Sequence, residues 1–184
     1  MNTPLFHGEL VRLTAANPET DAEVVTGWSR DSEFLRLLDD EAARPWLLKS
    51  VKKDMEEESS DGFQFMIRTV AEDRLIGFVG LHRSIRWAQG DAWVGIGIGD
   101  RAYWGKGYGT DAMRVLLRYA FTELNLHRVT LGVFEYNARA IRSYEKAGFV
   151  VEGRSRQEML RDGRRWDALT MGILREDWQW ISET

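Results

Sequence analysis

Three glycines at alternate positions, Gly105, Gly107 and Gly109, sit with Lys106 in the stretch AYWGKGYGTDAM (102–113), and a helix-like pattern follows them. A glycine-rich turn ahead of a helix is an anion site, because backbone N–H groups point into the turn and the helix dipole favours negative charge there. The spacing narrows the anion. A Walker A loop needs Gly, four residues, then Gly-Lys-Ser/Thr. Here Gly107 stands where the hydroxyl belongs and Asp100 where the first glycine belongs. Gly97, Gly99 and Ala102 match GxGxxG/A formally, but those glycines prolong a strand and no helix begins at Ala102, which disfavours a dinucleotide site. A glycine turn without a ligand is the plain alternative. A second constellation follows about thirty residues on: Asn137, Ala140 and Tyr144 are spaced i, i+3 and i+7 and share one face of a helix.

The elements that must position these groups follow from periodicity. GELVRLT (8–14) alternates apolar and polar and reads as a first strand. Residues 18 to about 58 read as helices, with Pro18 at a start and Pro45 in the first turn of PWLLKSVKKDMEEE. GFQFMIRTV (62–70) and RLIGFVGLHRSI (74–85) read as two strands joined by a polar turn, and DAWVGIGIGD (91–100) as a glycine-rich third. A helix spans about Tyr108 to Leu124, HRVTLGVFE (127–135) is a strand, and NARAIRSYEKAG (137–148) is a helix closed by Gly148. Two strands then flank RDGR (161–164), where Asp-Gly is a hairpin signal. Strand, helices, three strands, helix, strand, helix and two strands make an α+β arrangement on one mixed sheet.

Composition excludes several function classes. The chain has 184 residues, 43% of them apolar and 29% charged, the balance of a globular domain with a real core. Without cysteine there is no disulfide framework, thiol nucleophile or cysteine metal site. The N-terminus lacks a basic, then apolar, leader pattern, and no run approaches the ~18 apolar residues of a membrane helix, so a cytoplasmic protein is expected. The net charge of −4 is uneven. Residues 1–62 carry 14 Asp/Glu against 7 Lys/Arg, and residues 63–184 carry 15 against 18. That asymmetry suits two ligands of opposite charge, or two solvated surfaces. No dense basic stripe points to nucleic acid.

Two segments carry a family resemblance. GIGIGDRAYWGKGYGTDAMRVLLRYAF (95–121) is similar to the central coenzyme A motif of the GNAT superfamily of acyl-CoA N-acyltransferases. NARAIRSYEKAGF (137–149) resembles that family's Asn-x-x-(Ala/Ser)-x-x-x-Tyr-x-x-x-Gly-Phe segment. The likeness runs from GELVRLT to MGILREDW, and RDGRRWDALTMGILREDW (161–178) resembles the branch of ribosomal-protein alanine and spermidine N-acetyltransferases. The resemblance implies one N-acetyltransferase domain over 1–184. Its fold would be α+β: a mixed, mostly antiparallel sheet of about seven strands with splayed central strands and about four flanking helices. It implies acetyl-CoA as co-substrate, no metal, and direct attack by a primary amine of a protein N-terminus, a polyamine or a small molecule. It is compatible with a homodimer.

The family loop, Arg/Gln-x-x-Gly-x-Gly/Ala, holds the CoA pyrophosphate on backbone amides. Its frame here is Trp104, Gly105, Lys106, Gly107, Tyr108 and Gly109, with Trp104 in the place of the common Arg or Gln. Thr110 helps the phosphate or caps the helix, and Lys106 adds charge or is solvated. The strand WVGIGIG (93–99) splays from its neighbour, and the pantetheine arm pairs with its open edge as far as Ile98. Gly95, Gly97 and Gly99 share the face opposite Ile96 and Ile98, left bare for a ligand or for close packing of the central helix. Asn137 ties the strand end to the cofactor, Ala140 leaves room, and Tyr144 protonates the departing thiolate. Many relatives keep a Glu where this chain has Trp93. Glu135 is the first replacement for that general base, beside Asp91 and His82, histidine being the side chain that titrates near neutrality; a water chain is the other route. Asp39 and Asp40, with Glu41 and Trp46 nearby, suit a cationic amine through charge and cation–π contact, or form an exposed acidic turn. Trp28, Trp46, Trp87 and Trp93 line an apolar part of the acceptor pocket or fill core. The function of a different class is an acyl-CoA-binding sensor or scaffold without turnover, which the missing Glu favours.

Overall fold

The computed structural model describes residues 4–57, 62–84 and 86–178. One sheet runs in the order β1-β2-β3-β4-β5-β7-β6. Its strands are β1 (Val11–Thr14), β2 (Gly62–Thr69), β3 (Leu75–Arg83), β4 (Asp91–Ile98), β5 (Arg128–Phe134), β6 (Val150–Arg161) and β7 (Arg164–Leu174). Neighbours pair antiparallel except β4 and β5, which are parallel. The flanking helices are α1 (Pro18–Trp28), α2 (Ser32–Leu38), α3 (Leu48–Glu56), α4 (Tyr108–Thr122) and α5 (Ala138–Ala147). The acidic front region thus divides into three helices, making five in place of about four. Among the described residues no helix is long and apolar enough to cross a membrane.

Element boundaries move where side chains capture backbone. β1 begins at Val11 rather than residue 8 because the amides of Glu9, Leu10 and Val11 turn onto the Asp111 carboxylate, at 3.3, 2.8 and 3.0 Å. Arg118, two turns further along α4, donates to the carbonyls of Leu5 and His7. Two buried charged residues of α4 therefore hold the N-terminal arm. α3 starts three residues after Pro45, since the Trp46 amide is held by the Ser29 hydroxyl at 2.9 Å and Leu47 is extended. Asn137 lies just outside α5 and caps it, its side-chain oxygen accepting from the Ala140 amide at 3.2 Å. The β6–β7 turn has Asp162 and Gly163 at φ 52° and 71°, the two positive values that an Asp-Gly hairpin turn requires.

The two sheet faces carry different cores. α4 covers one, burying Met113, Leu116 and Leu117 against Val79, Leu81 and Val94. Each such side chain contributes roughly 1.5–3 kcal/mol of burial. α1 and α3 cover the other with Ala22, Val25 and Val51 over Met66 and Leu75. Gly97 and Gly99 lie on this second face. A Cβ at Gly97 would stand 2.9 Å from Leu38 and 3.0 Å from Phe78, and one at Gly99 would enter the Trp28 ring. The close packing they permit is with α1 and α2, not with the central helix α4, because β4 turns Ile96 and Ile98 toward α4 instead.

Candidate functional site

Pairing between β4 and β5 stops early. Only Asp91–Trp93 pair with Arg128–Thr130, whereas β3 follows β4 to Ile98 and β7 follows β5 to Phe134. Past Trp93 the parallel strands diverge. The edges from Val94 to Ile98 and from Gly132 to Phe134 border a cleft of about 810 Å³. Unpaired backbone groups on such an edge need water or a ligand. One of them is already taken: the Trp104 indole donates to the Ile98 carbonyl at 2.6 Å.

The glycine loop closes one end of this gap. Gly105 and Gly107 have φ of 71° and 92°, a left-handed conformation that side chains resist. α4 begins right after Gly107 and no side chain caps it. Its first N–H groups therefore lack helical acceptors, and Gly107, Gly109 and Thr110 line the cleft. The Thr110 hydroxyl is shared with Ser143 Oγ at 2.8 Å, which clasps α4 to α5. Trp104 is stacked under the guanidinium of Arg139, 3.7 Å from the ring centroid, with Arg101 at 5.1 Å. Burial lowers the Arg139 pKa, opposed by the Glu33 charge. Arg101 in turn reaches Asp31, the residue that caps α2 through the amides of Glu33 and Phe34. The Arg101 hydrogen bond, aided by those amides, draws the Asp31 carboxyl down to about 2 against the cost of burial.

Tyr144 projects from α5 into the cleft and packs against Phe149, ring centroids 6.2 Å apart. Burial pushes its phenol up to about 12, so it stays protonated at neutral pH as a hydrogen-bond donor. Asn137 also lines the cleft, and its amide reaches the Leu37 carbonyl at 3.5 Å, tying α5 to the end of α2. Asp39 and Asp40 follow that end and line the same cleft. Burial, with the charges of Glu41 and Asp40, raises the Asp39 pKa, while the Glu41 amide and Arg161 oppose it. Arg161 at the far end of β6 donates to the Asp39 carbonyl at 3.2 Å, fastening the acidic loop to the β6–β7 hairpin.

Other expected groups lie elsewhere. Glu135 is not among the cleft-lining residues. Its carboxylate accepts from Arg154 at 3.1 Å and from the Asp167 amide at 3.0 Å. Lys106, Tyr108, His82, Asp91 and Trp93 are likewise outside the lining, although Trp93 is 43% exposed and its ring would stand 4.0 Å from a Cβ added at cleft-lining Gly132. Trp28 and Trp46 pack around Phe34 in the second core. The Trp87 side chain lies outside the described residues.

Two groups of lining residues escaped the sequence reading. Arg114, Arg139, Arg142 and Lys146 line the cleft from α4 and α5. The last three are spaced three and four apart, a stripe that the pattern contained. Glu158 lines it from β6, and no pattern announces it. From Ser155 to Met159 β6 advances four residues while β7 advances two, from Ala168 to Trp166. Gln157 in that bulge has φ 55°, and its amide is held by Asp167 at 2.9 Å. Among the described residues no group of three or more His, Cys, Asp or Glu is arranged to hold a metal ion.

Comparison with known proteins places the site in context. A family model described as acetyltransferase (GNAT) domain matches residues 11–150. The probable N-acetyltransferase YjcK of Bacillus subtilis (strain 168) is 41% identical over 120 residues, 65% of this chain and just under two thirds, 66%, of that protein. Spermidine N(1)-acetyltransferase of Vibrio cholerae is 41% identical over 70 residues, 38% of this chain and 40% of the other. The crystal structure of spermidine N-acetyltransferase from Vibrio cholerae in complex with CoA and spermine superposes with a TM-score of 0.77 at 25% identity, covering 91% of this chain and 96% of that one.

Proposed function

Since the chain belongs to the GNAT acetyltransferase family and is an acetyl-CoA-dependent N-acetyltransferase, we propose that a primary amine attacks the thioester directly within the splayed β4–β5 cleft. The observation that carries this reading is the unpaired edge of β4 beside an uncapped helix start and a half-buried, protonated phenol. On this reading the amides around Gly107 and Gly109 hold the pyrophosphate, and Arg139, Arg142 and Lys146 add positive charge beside it. The β4 edge up to Ile98 orients the pantetheine arm as an added strand would. Tyr144 donates its proton to the sulfur as the C–S bond breaks. A phenol at about 12 is a weaker acid than a thiol at ~8.5, so that transfer runs uphill alone. It proceeds because the attacking nitrogen, positively charged in the tetrahedral intermediate, loses a proton that restores the phenol.

Asp39, Asp40 and Glu158 make the opposite wall acidic, which favours a cationic acceptor. Together with the relatives named for spermidine, that wall makes a polyamine the first acceptor to test. Calorimetric titration with CoA, acetyl-CoA and ATP, followed by thiol release from acetyl-CoA with spermidine, an alanyl peptide and a simple alkylamine, tests the reading. Binding of CoA and acetyl-CoA but not ATP, with amine-dependent thiol release, is expected. Binding without release for every amine would identify an acyl-CoA sensor instead.

A further inference from the structure

An acceptor amine reaches the enzyme as an ammonium ion, and the β4 residue at the vertex of the cleft is Trp93, which takes no proton. We propose that His82 is the general base, drawing the proton from the acceptor on the sheet face opposite Tyr144; this rests on the transferase reading above.

Register sets its place. His82 pairs with Trp93 across β3 and β4, and Trp93–Thr130 is the last pair before β4 and β5 part. His82 is therefore one strand from the point where the cleft opens. Alternation puts His82, Trp93 and Gly95 on one sheet face. The imidazole leans over Gly95, where an added Cβ would lie 3.6 Å from Nε2. Gly95 itself lines the cleft, so the bare glycine leaves open the space between the imidazole and the unpaired strand edge. The Gln64 amide nitrogen is 3.5 Å from Nε2. Gly80 makes its room, since a Cβ there would press on Gln64 at 2.6 Å. Among the described residues the groups that contact or pairing set beside His82 are uncharged, Gln64 from β2 with Trp93 and Gly95 from β4. Asp91 is the one carboxylate of β4 and shares the Trp93 face, two residues away, and Arg83 points to the opposite face.

Tyr144, like Ile96 and Ile98, packs against the core on the α4 side of the sheet. Base and acid then flank the gap from opposite faces, so the imidazole meets the incoming nitrogen while the phenol meets the departing sulfur, both bonded to one carbon in the tetrahedral intermediate. Nε2 of His82 takes one proton from the ammonium. The freed lone pair forms the C–N bond, the C–S bond breaks, and Tyr144 protonates the sulfur. The second proton lost by the nitrogen restores Tyr144, and His82 releases its own to solvent. Ammonium and thioester become amide, thiol and one proton.

The test is kcat/KM against pH from 6 to 10 for wild type and His82→Gln with acetyl-CoA and spermidine, read by thiol release, alongside CoA affinity by calorimetry. His82→Gln is expected to lose ~10²–10³-fold near pH 7. The loss should shrink to less than about tenfold near pH 10, where primary amines shed their own proton, with CoA affinity unchanged. An unaltered rate near pH 7, or an equal loss at every pH, overturns the assignment. Gln64→Glu places a carboxylate beside the imidazole and should move the acid limb of the profile to higher pH; an unmoved limb belongs to another group and overturns the assignment too. Wild type that binds CoA but turns over no amine removes the transferase reading and this one with it, whereas normal wild-type turnover with an unchanged His82→Gln profile removes His82 alone.

Discussion

The wall of the cleft formed by β4, the glycine loop and α4 is largely backbone, while the wall formed by the end of α2 and the bulge of β6 is charged side chains. The first comes from one continuous stretch, Val94 to Thr110, completed by Asn137 and Tyr144. Its polar groups are mainly backbone amides, fixed by the positive φ of Gly105 and Gly107 and by helix geometry. The second brings Asp39 and Asp40 together with Glu158, more than a hundred residues away, through Arg161 and the Asp167 clamp. A charged bridge couples the walls: Arg101, just before the glycine loop, is bound to Asp31, the cap of α2. A backbone wall binds one shape tightly. A side-chain wall at the surface attracts a class of charge and can change acceptor without disturbing the first.

That contrast breaks most directly at Gly107. Gly107→Val forbids the 92° φ and blocks approach to the amides. Losing two charge-assisted hydrogen bonds at ~1.5–3 kcal/mol each weakens CoA binding by about 10²–10⁴-fold. Unchanged calorimetric affinity in a folded variant would mean that the loop holds no phosphate. Tyr144→Phe comes next. It keeps the ring and its packing and deletes one O–H, so kcat should fall by on the order of 10²-fold while CoA affinity and Tm hold. Because burial raises the phenol to about 12, its acid form persists through the assay range, and the wild-type profile should show no Tyr144 limb below about pH 11. A wild-type kcat in the variant, under conditions where chemistry limits, would leave water as the acid.

The acidic wall should respond more gently. Glu158→Gln and Asp39→Asn each remove one exposed charge from an attraction worth ~0.2–1 kcal/mol. KM for spermidine should rise about two- to fivefold, less at high salt, with CoA affinity untouched; an equal effect on a neutral acceptor would show that these groups do not act through charge. The bridge gives the smallest effect, on stability. Asp31→Ala removes a helix cap and an ion pair whose arginine side chain is 51% exposed, so the cost is about 1 kcal/mol at pH 7 after screening. The folded pKa, about 2, lies below the ordinary 3.8. The ion pair's share of that stability is therefore present above pH 4 and lost as pH falls from about 4 to 2. Urea unfolding at pH 7 and pH 2.5 checks it: a gap between variant and wild type that stays as wide at pH 2.5 would exclude a charge contribution.

Much of the backbone wall was legible because its signals are local. Glycines at alternate positions, a following helical period and the Asn137–Tyr144 spacing act over a few turns of chain, and the β4–β5 splay followed from the family these segments resemble. Local pattern also misled at the edges. Asn137 has the right spacing for a helical face but serves as a cap, and Gly97 and Gly99 are bare for Trp28, Leu38 and Phe78 rather than for α4. Glu135, expected to end a strand, lies one residue past the end of β5, and Arg154 and the Asp167 amide engage it away from the cleft lining.

The sequence by itself determined the order of strands and helices, where the glycine-rich turn lies and that the helix carrying Tyr144 follows it, since backbone propensity and periodicity are properties of neighbouring residues. Only the tertiary structure decided that Glu158 joins Asp39 and Asp40, that Arg139 lies over Trp104 and that His82 leans over Gly95. Those meetings depend on strand register, a two-residue bulge and the seating of α5 against the glycine loop, which are set by packing across the whole domain and leave no local mark in the chain.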